Sequence, residues 1–428
     1  MRILIISFQF PPFKGAGCLR VGKTAKYLSR FGHDVRVISA RDQNVPTPTL
    51  PVEIDASRVT YSKWIDLTRL GAGRRAGVAD PSENEAGAAS ERAERTPYGF
   101  KARLRKMARA VLLFPDREIG WLPFGRAAAL GLTRSWRPDV IVGSAYPITS
   151  LLVAWTVSKA TGIPWVAEMR DLWADFPHYQ FPEWRRRIEK RFERRVLRSA
   201  AGIVTVSEPL AKLLFDEYQK PTAVVYHGFD PDDYVTATTE SRADDPLRLV
   251  YTGNVYKGVQ DPTPLFEALV PLAGNVRLEM YGSRQPWVER IAVETGAASF
   301  VDFKGVVSHA DALTAQVGAD LLVSFLWTDI TQPGMLLTKN LEYFGAGRPI
   351  LGVGPRENGA SDLIEGRGAG KVLQTRHEIR NHLDEMLGQK RRLGAVPGIL
   401  ASAQEGLSRE AQTRKLEGFL LSIVPGVA

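Results

Sequence analysis

The strongest constraint on the fold is an alternation that recurs along the chain: a short run rich in β-branched residues, a loop marked by glycine or proline, and a segment with helical apolar spacing. It is first met in RILIISF, PPFKGAG and LRVGKTAKYLSRFGH. There Leu19, Val21, Ala25 and Leu28 share an approximate helical face, and Gly32 is placed to end it before the next apolar run, VRVIS. Strand, loop, helix and strand in this order build parallel sheets. DVIVGSA, SLLVAWTVSKA, PWVAEM and GIVTVS continue the series. A second series begins at LRLVYTG and runs through TPLFEALVPLA, VRLEMYG, VDFKGVV, ADLLVSFL, LLTKNLEYFGA and RPILGVG. The expected fold class is α/β, with two Rossmann-like domains joined near residues 215–245 and a cleft between the carboxyl ends of their parallel sheets.

The length of 428 residues suits two or three domains at roughly 100–200 residues each. Cys18 is the one cysteine, which excludes an intrachain disulfide framework, leaves a cysteine-based zinc site short of ligands and fits a reducing, cytoplasmic setting. The first apolar run ends at Pro11 and Pro12 without a small-residue cleavage site, so no signal peptide is expected. Residues 140–158 are uncharged, but Gly143, Ser144, Tyr146 and Pro147 interrupt them, and the reading is strand, loop and helix rather than a membrane span. Residues 72–97 lack periodicity and are predicted to form a mobile surface insertion. The net charge of +9 favours anionic partners such as a phosphorylated substrate or an acidic membrane face. A nucleic-acid partner is disfavoured, since no aromatic-rich basic motif or helix-turn-helix pattern is present.

Several groups of residues have the character of a binding site. Gly15 and Gly17 let the backbone pass close to a ligand at a helix start, where the helix dipole favours an anion. The pattern is not GxGxxG, and only Asp42 follows the next strand, which disfavours a nicotinamide cofactor; a plain tight turn explains the glycines equally well. In GMLLTKNLEYFGAGRPI, Lys339 and Glu342 are three apart on one helical face. Near a helix start they suit a diphosphate and a ribose, although a surface ion pair has the same spacing. EMRDLW sets Glu168, Arg170 and Asp171 at a strand end, where Arg170 can meet a phosphate and Asp171 a sugar hydroxyl, or the trio can form a structural salt bridge. Asp230, Pro231 and Asp232 spell D-x-D but read as a turn, and no H-E-x-x-H cluster is present. RRRIEKRFERRVLR, 185–198, has Ile188, Phe192 and Val196 spaced by four and eight basic residues. With KARLRKMARAVLLF, 101–114, it offers cationic amphipathic helices suited to an acidic membrane or, equally, to packing on the chain's own domain.

Taken in order, PPFKGAG, EMRDLW, AAGIVTVSEPL, VVYHGFD, VYTGNVYKG, LEMYGS, VDFKGVVSHADAL and TKNLEYFGAGRPIL resemble the family 4 glycosyltransferases of GT-B fold, the retaining nucleotide-sugar transferases of polysaccharide assembly. The resemblance covers most of the chain. It implies an acceptor-side domain at 1–220, a nucleotide-sugar domain at 221–405 and a C-terminal helix at 406–428 that returns to the first domain. It assigns donor binding to Gly15, Ala16, Gly17, Gly253, Asn254, Lys257, Tyr281, Gly282, Gly334, Met335, Leu336, Thr338, Lys339 and Glu342, with Ser283 beside them. Asp171, Arg170, Lys257 and Lys339 are the implied catalytic group, and Tyr146, Glu168 and Arg170 the implied acceptor contacts, with Ser144 close by.

Departures from the family pattern accompany the match. Gly334 stands where the first of two paired glutamates is usual, Asn254 replaces an arginine of the phosphate loop, and His227 replaces an asparagine. The implied chemistry is metal-independent retaining transfer from an NDP-sugar, with UDP the expected nucleotide and no cofactor. The resemblance implies a saccharide or polyprenyl-linked saccharide as acceptor, and a cytoplasmic enzyme that can sit peripherally on the inner face of the plasma membrane. The competing readings are a GT-B-fold sugar-nucleotide epimerase and a non-catalytic nucleotide-sugar-binding scaffold subunit.

Overall fold

The computed structural model describes residues 1–13, 15–43, 50–69, 107, 109–176, 179, 181–234, 243–328, 338–357 and 359–424. The insertion expected at 72–97 lies outside them. The chain divides into two compact units, Met1–Tyr226 with Gln412–Ala428, and His227–Ala411.

The first unit is built on seven parallel strands: β1 (Arg2–Ile6), β2 (Asp34–Ala40), β3 (Val59–Ser62), β4 (Val140–Ser144), β5 (Trp165–Glu168), β6 (Gly202–Thr205) and β7 (Thr222–Val224), in the order β3-β2-β1-β4-β5-β6-β7. β4 is buried at every residue and β1 at four of five, as expected of a parallel sheet covered by helices on both faces. Gly143 in β4 is required by packing, because a Cβ there would stand 2.7 Å from Cβ of Ala154 on the helix Thr149–Thr161. Gly32 and Gly162 follow the helices Ala16–Arg30 and Thr149–Thr161 with positive φ, where their sequence positions placed helix ends.

The last helix, Arg409–Ile423, belongs to this unit from Gln412 onward. Its Leu416 and Leu420 are buried in one cluster with Ile3, Ile5, Val35 and Val37, and Glu417 meets His33 at 2.7 Å.

The second unit repeats the plan with six parallel strands: β8 (Leu247–Thr252), β9 (Val276–Tyr281), β10 (Val301–Gly305), β11 (Leu321–Phe325), β12 (Ile350–Val353) and β13 (Gly370–Leu373), in the order β10-β9-β8-β11-β12-β13. Strand order reverses between β1 and β4 in one unit and between β8 and β11 in the other, which makes the carboxyl ends of those strands the expected ligand positions. A buried pair, Lys390 to Asp320 at 2.6 Å, ties the helix Arg376–Leu393 to the start of β11.

Candidate functional site

In the second unit, Gly253 follows β8 and Gly282 follows β9. The Gly253 N–H donates to the Tyr281 carbonyl at 2.7 Å and the Gly282 N–H to the Gly305 carbonyl at 2.9 Å. Gly282 has φ of 156°, and a Cβ on it would run into the Gly253 carbonyl, so the loops come this close only with glycine. Asn254 joins them further by accepting the Ser283 N–H on Oδ1 at 2.9 Å. Gly253, Tyr281, Gly282, Arg284 and Phe303 border a shallow, solvent-open recess. The Tyr281 hydroxyl donates to Glu279 at 2.7 Å.

Lys339, on the helix Thr338–Ala346, borders the same loop: a Cβ on Gly253 would lie 3.4 Å from its Nζ. The i,i+3 ion pair with Glu342 is not what holds it. Its ammonium donates to the Tyr251 hydroxyl at 2.6 Å and sits 4.0 Å from the centroid of that ring. Burial drives the pKa of Lys339 down to about 7, against the weaker opposing pull of the Glu342 charge. An ammonium held this way is poised to gain from an arriving phosphate. Glu342 places Oε1 3.3 Å from His309 Nε2, and its carbonyl accepts from the Tyr234 hydroxyl at 2.5 Å. Lys257 is exposed on the turn beyond Gly253. Thr338 opens the helix, and Gly334, Met335 and Leu336 lie outside the described residues.

Gly15, Ala16 and Gly17 belong to the first unit, where they start the helix Ala16–Arg30. A Cβ on Gly17 would collide with Gln9 and with the Arg170 guanidinium. Arg170 is engaged with the protein itself: Nε donates to the Ala145 carbonyl, and Nη2 donates to the Tyr146 carbonyl at 2.9 Å and to Gln9 Oε1 at 3.2 Å. It thereby ties together the loops after β1, β4 and β5.

Glu168 requires a correction. It is 4% exposed, with Oε1 paired to Arg20 at 2.8 Å and Oε2 accepting from the Ser144 hydroxyl. Burial alone would raise its pKa, but the Arg20 charge and the Ser144 hydroxyl hold it below the ordinary range. Glu168 is therefore a buried brace beneath the loops rather than an acceptor contact.

Tyr146 donates its hydroxyl to the Leu172 carbonyl at 2.6 Å and so fixes the loop that carries Asp171. Burial raises the Asp171 pKa against the opposing Arg170 charge.

The helix Glu183–Leu197 differs from the expected cationic face. Arg185 is fully buried and donates to Glu189 at 2.6 Å and to the carbonyls of Ala110, Leu113 and Pro115 at 2.9, 2.7 and 2.8 Å. Because Arg185 and Glu189 occupy the inner face, Ile188 is turned out and is 48% exposed. Lys190 and Arg186 pair with Asp175, and Arg194 with Glu217. Arg191, Arg195 and Arg198 remain exposed beside Trp184 and Ile188. Of 101–114, only 107 and 109–114 are described. Asp230 caps the turn Pro231–Asp233 by accepting the Asp232 N–H at 3.0 Å, in keeping with the turn reading of D-x-D. Among the described residues, no helix is long and apolar enough to cross a membrane.

Sequence reasoning missed Tyr251, Gln9, Arg20 and His309, none of which carries a local signal.

Comparison with known proteins bears on the fold. Residues 19–228 match the model of the glycosyl transferase 4-like domain. Anabaena HepE, solved with UDP and glucose, is similar with a TM-score of 0.62 at 15% identity, covering 99% of this chain and 100% of that one. Sucrose-phosphate synthase from Thermosynechococcus elongatus has a TM-score of 0.61 at 14% identity, covering 99% of each chain. A putative UDP-N-acetylglucosamine 2-epimerase from Listeria monocytogenes reaches 0.55 at 10% identity, covering 98% of this chain and 96% of that one, so the fold by itself does not separate transfer from epimerisation. No curated protein matches by sequence. Residues 19–228 thus match a glycosyl transferase 4-like domain, and the chain as a whole has the GT-B fold of these structures.

Proposed function

We propose that this protein transfers a hexosyl or N-acetylhexosaminyl group from a UDP-sugar to a saccharide or lipid-linked saccharide, with retention at the anomeric carbon, in surface polysaccharide or glycoconjugate synthesis. The observation that carries the reading is Lys339, buried against Tyr251 beside the Gly253 loop, with Glu342 one turn further along its helix. A diphosphate beside Lys339 gains a cation and glycine-loop N–H groups, and Glu342 is placed to accept from ribose hydroxyls. Lys257 supplies a second cation at the loop. UDP is preferred as the nucleotide because the HepE structures hold UDP and UDP-glucose.

In the reaction, the bond between the anomeric carbon and the diphosphate oxygen breaks and a bond to the acceptor oxygen forms. The negative charge appearing on the diphosphate is met by Lys339 and the backbone amides, which does not call for a divalent ion. Asp171 is assigned the acceptor proton, while Arg170 and Tyr146 shape the loop that carries it.

Peripheral binding to an acidic membrane is part of the same reading, through Trp184, Ile188, Arg191, Arg195 and Arg198, and would hold the enzyme on the cytoplasmic side near a lipid-linked acceptor.

The test is a thermal-shift panel of UDP-, GDP-, ADP- and dTDP-sugars with and without EDTA, followed by product analysis. A UDP-specific shift that survives EDTA, and UDP release with sugar transfer on adding acceptor, is the expected result. A sugar nucleotide epimerised at a ring carbon, with the sugar still joined to UDP and no transfer to acceptor, would identify an epimerase. Binding without turnover would identify a scaffold.

A further inference from the structure

The pairing of His309 with Glu342 goes beyond the donor reading, although it rests on it. His309 is the first residue of the helix His309–Val317. Its neighbour Ser308 caps that helix, accepting the Asp311 N–H at 3.1 Å and donating to the Asp311 carboxylate at 2.6 Å, so the start of the helix is fixed. From there Nε2 of His309 reaches Oε1 of Glu342 at 3.3 Å, across to the helix Thr338–Ala346. The imidazole is about one-third exposed and the carboxylate less so, at 34% and 17%.

A glutamate side chain has three rotatable bonds, and a carboxylate at a binding site is useful only when its plane is set. Here the backbone of Glu342 is held by the Tyr234 hydroxyl on its carbonyl, and the far end is held by His309. One carboxylate oxygen is engaged and Oε2 keeps its lone pairs for a vicinal diol.

We propose that His309 is a positioning residue for nucleotide recognition: by holding Oε1 of Glu342 it aims Oε2 at the ribose hydroxyls of the donor. His309 acts through Glu342 rather than on the diphosphate or the base, so its contribution depends on the ribose hydroxyls being present.

The experiment compares UDP with 2′,3′-dideoxy-UDP by titration calorimetry for the wild type, His309→Ala and His309→Gln. A hydrogen bond to a charged group contributes about 1.5 kcal/mol, and His309→Ala is accordingly expected to weaken UDP by roughly tenfold. The same change should leave dideoxy-UDP within about twofold. His309→Gln, which keeps an N–H donor, should restore most of the preference for UDP. Unchanged dideoxy-UDP binding also reports that the variant is folded. Equal losses for both nucleotides, or a UDP preference undiminished in His309→Ala, would overturn the proposal while leaving the donor site standing. A wild type that binds both nucleotides equally would overturn the role of Glu342 at the ribose, and this proposal with it.

Discussion

Lys339 offers the sharpest quantitative consequence. Its pKa of about 7, lowered by burial beneath the usual lysine value, means that it is charged below neutral pH and neutral above. A diphosphate prefers the charged form, so the competent fraction of free protein is about one-half at pH 7 and about one-tenth at pH 8. The apparent Kd for UDP-glucose should therefore weaken by about fivefold over that single unit. UDP-glucose is the suitable probe because its diphosphate diester does not titrate in this range. The bound diphosphate raises the pKa again, so binding at pH 8 should take up close to one proton. Calorimetry in two buffers of different ionisation enthalpy measures that uptake directly. Lys339→Met should bind weakly, with no pH slope and no proton uptake. A wild type whose affinity is flat between pH 7 and pH 8, or a Lys339→Met variant with the same slope, would refute the assignment of Lys339 to the diphosphate.

Three further outcomes follow from the buried groups. Arg185→Ala leaves the 2%-exposed Glu189 without its partner and frees three carbonyls, and should cost about 3–5 kcal/mol in urea unfolding, with part regained in the Arg185→Ala, Glu189→Ala double variant. Gly282→Ala drives a Cβ into the Gly253 carbonyl and should abolish the nucleotide-induced thermal shift while the first unit keeps its hydrogen-exchange protection. Because the folded-state pKa of Glu168 is lowered, its contribution to stability is present above the unfolded value of about 4.5 and is lost as pH falls through the folded one. Glu168→Gln should accordingly be less stable at neutral pH, where it leaves Arg20 unpaired, and should show a flatter acid limb in denaturation between pH 3 and pH 6.

The architecture was legible because its determinants are local. β-Branched runs mark strands buried on both faces, and Gly32 and Gly162 mark helix ends at the residues where the chain turns left-handed. The close approach of the loops at Gly253 and Gly282 was legible for the same reason, since both glycines stand directly after apolar runs. What stayed hidden depends on partners distant in sequence. Glu168, Arg170 and Asp171 read as a charged trio at a strand end, but the Arg20 that pairs Glu168 is 148 residues away and the Gln9 that meets Arg170 is 161 away. The spacing of Lys339 and Glu342 suggested a pair, and only the packing of Tyr251, 88 residues distant, shows the lysine held elsewhere. The basic run at 185–198 resembles a uniform cationic face because composition does not reveal that Arg185 points inward. A single histidine at a helix start gave no reason to single out His309.

The central claim is that the second unit holds a nucleotide sugar between the glycine loops and the Lys339 helix. Hydrogen–deuterium exchange of the whole protein with and without UDP-glucose tests it most directly. Protection concentrated at 252–257, 281–285 and 338–345, and diminished in Glu342→Ala, is the predicted result. Protection confined to residues 1–226, or none in the second unit at saturating ligand, would contradict it.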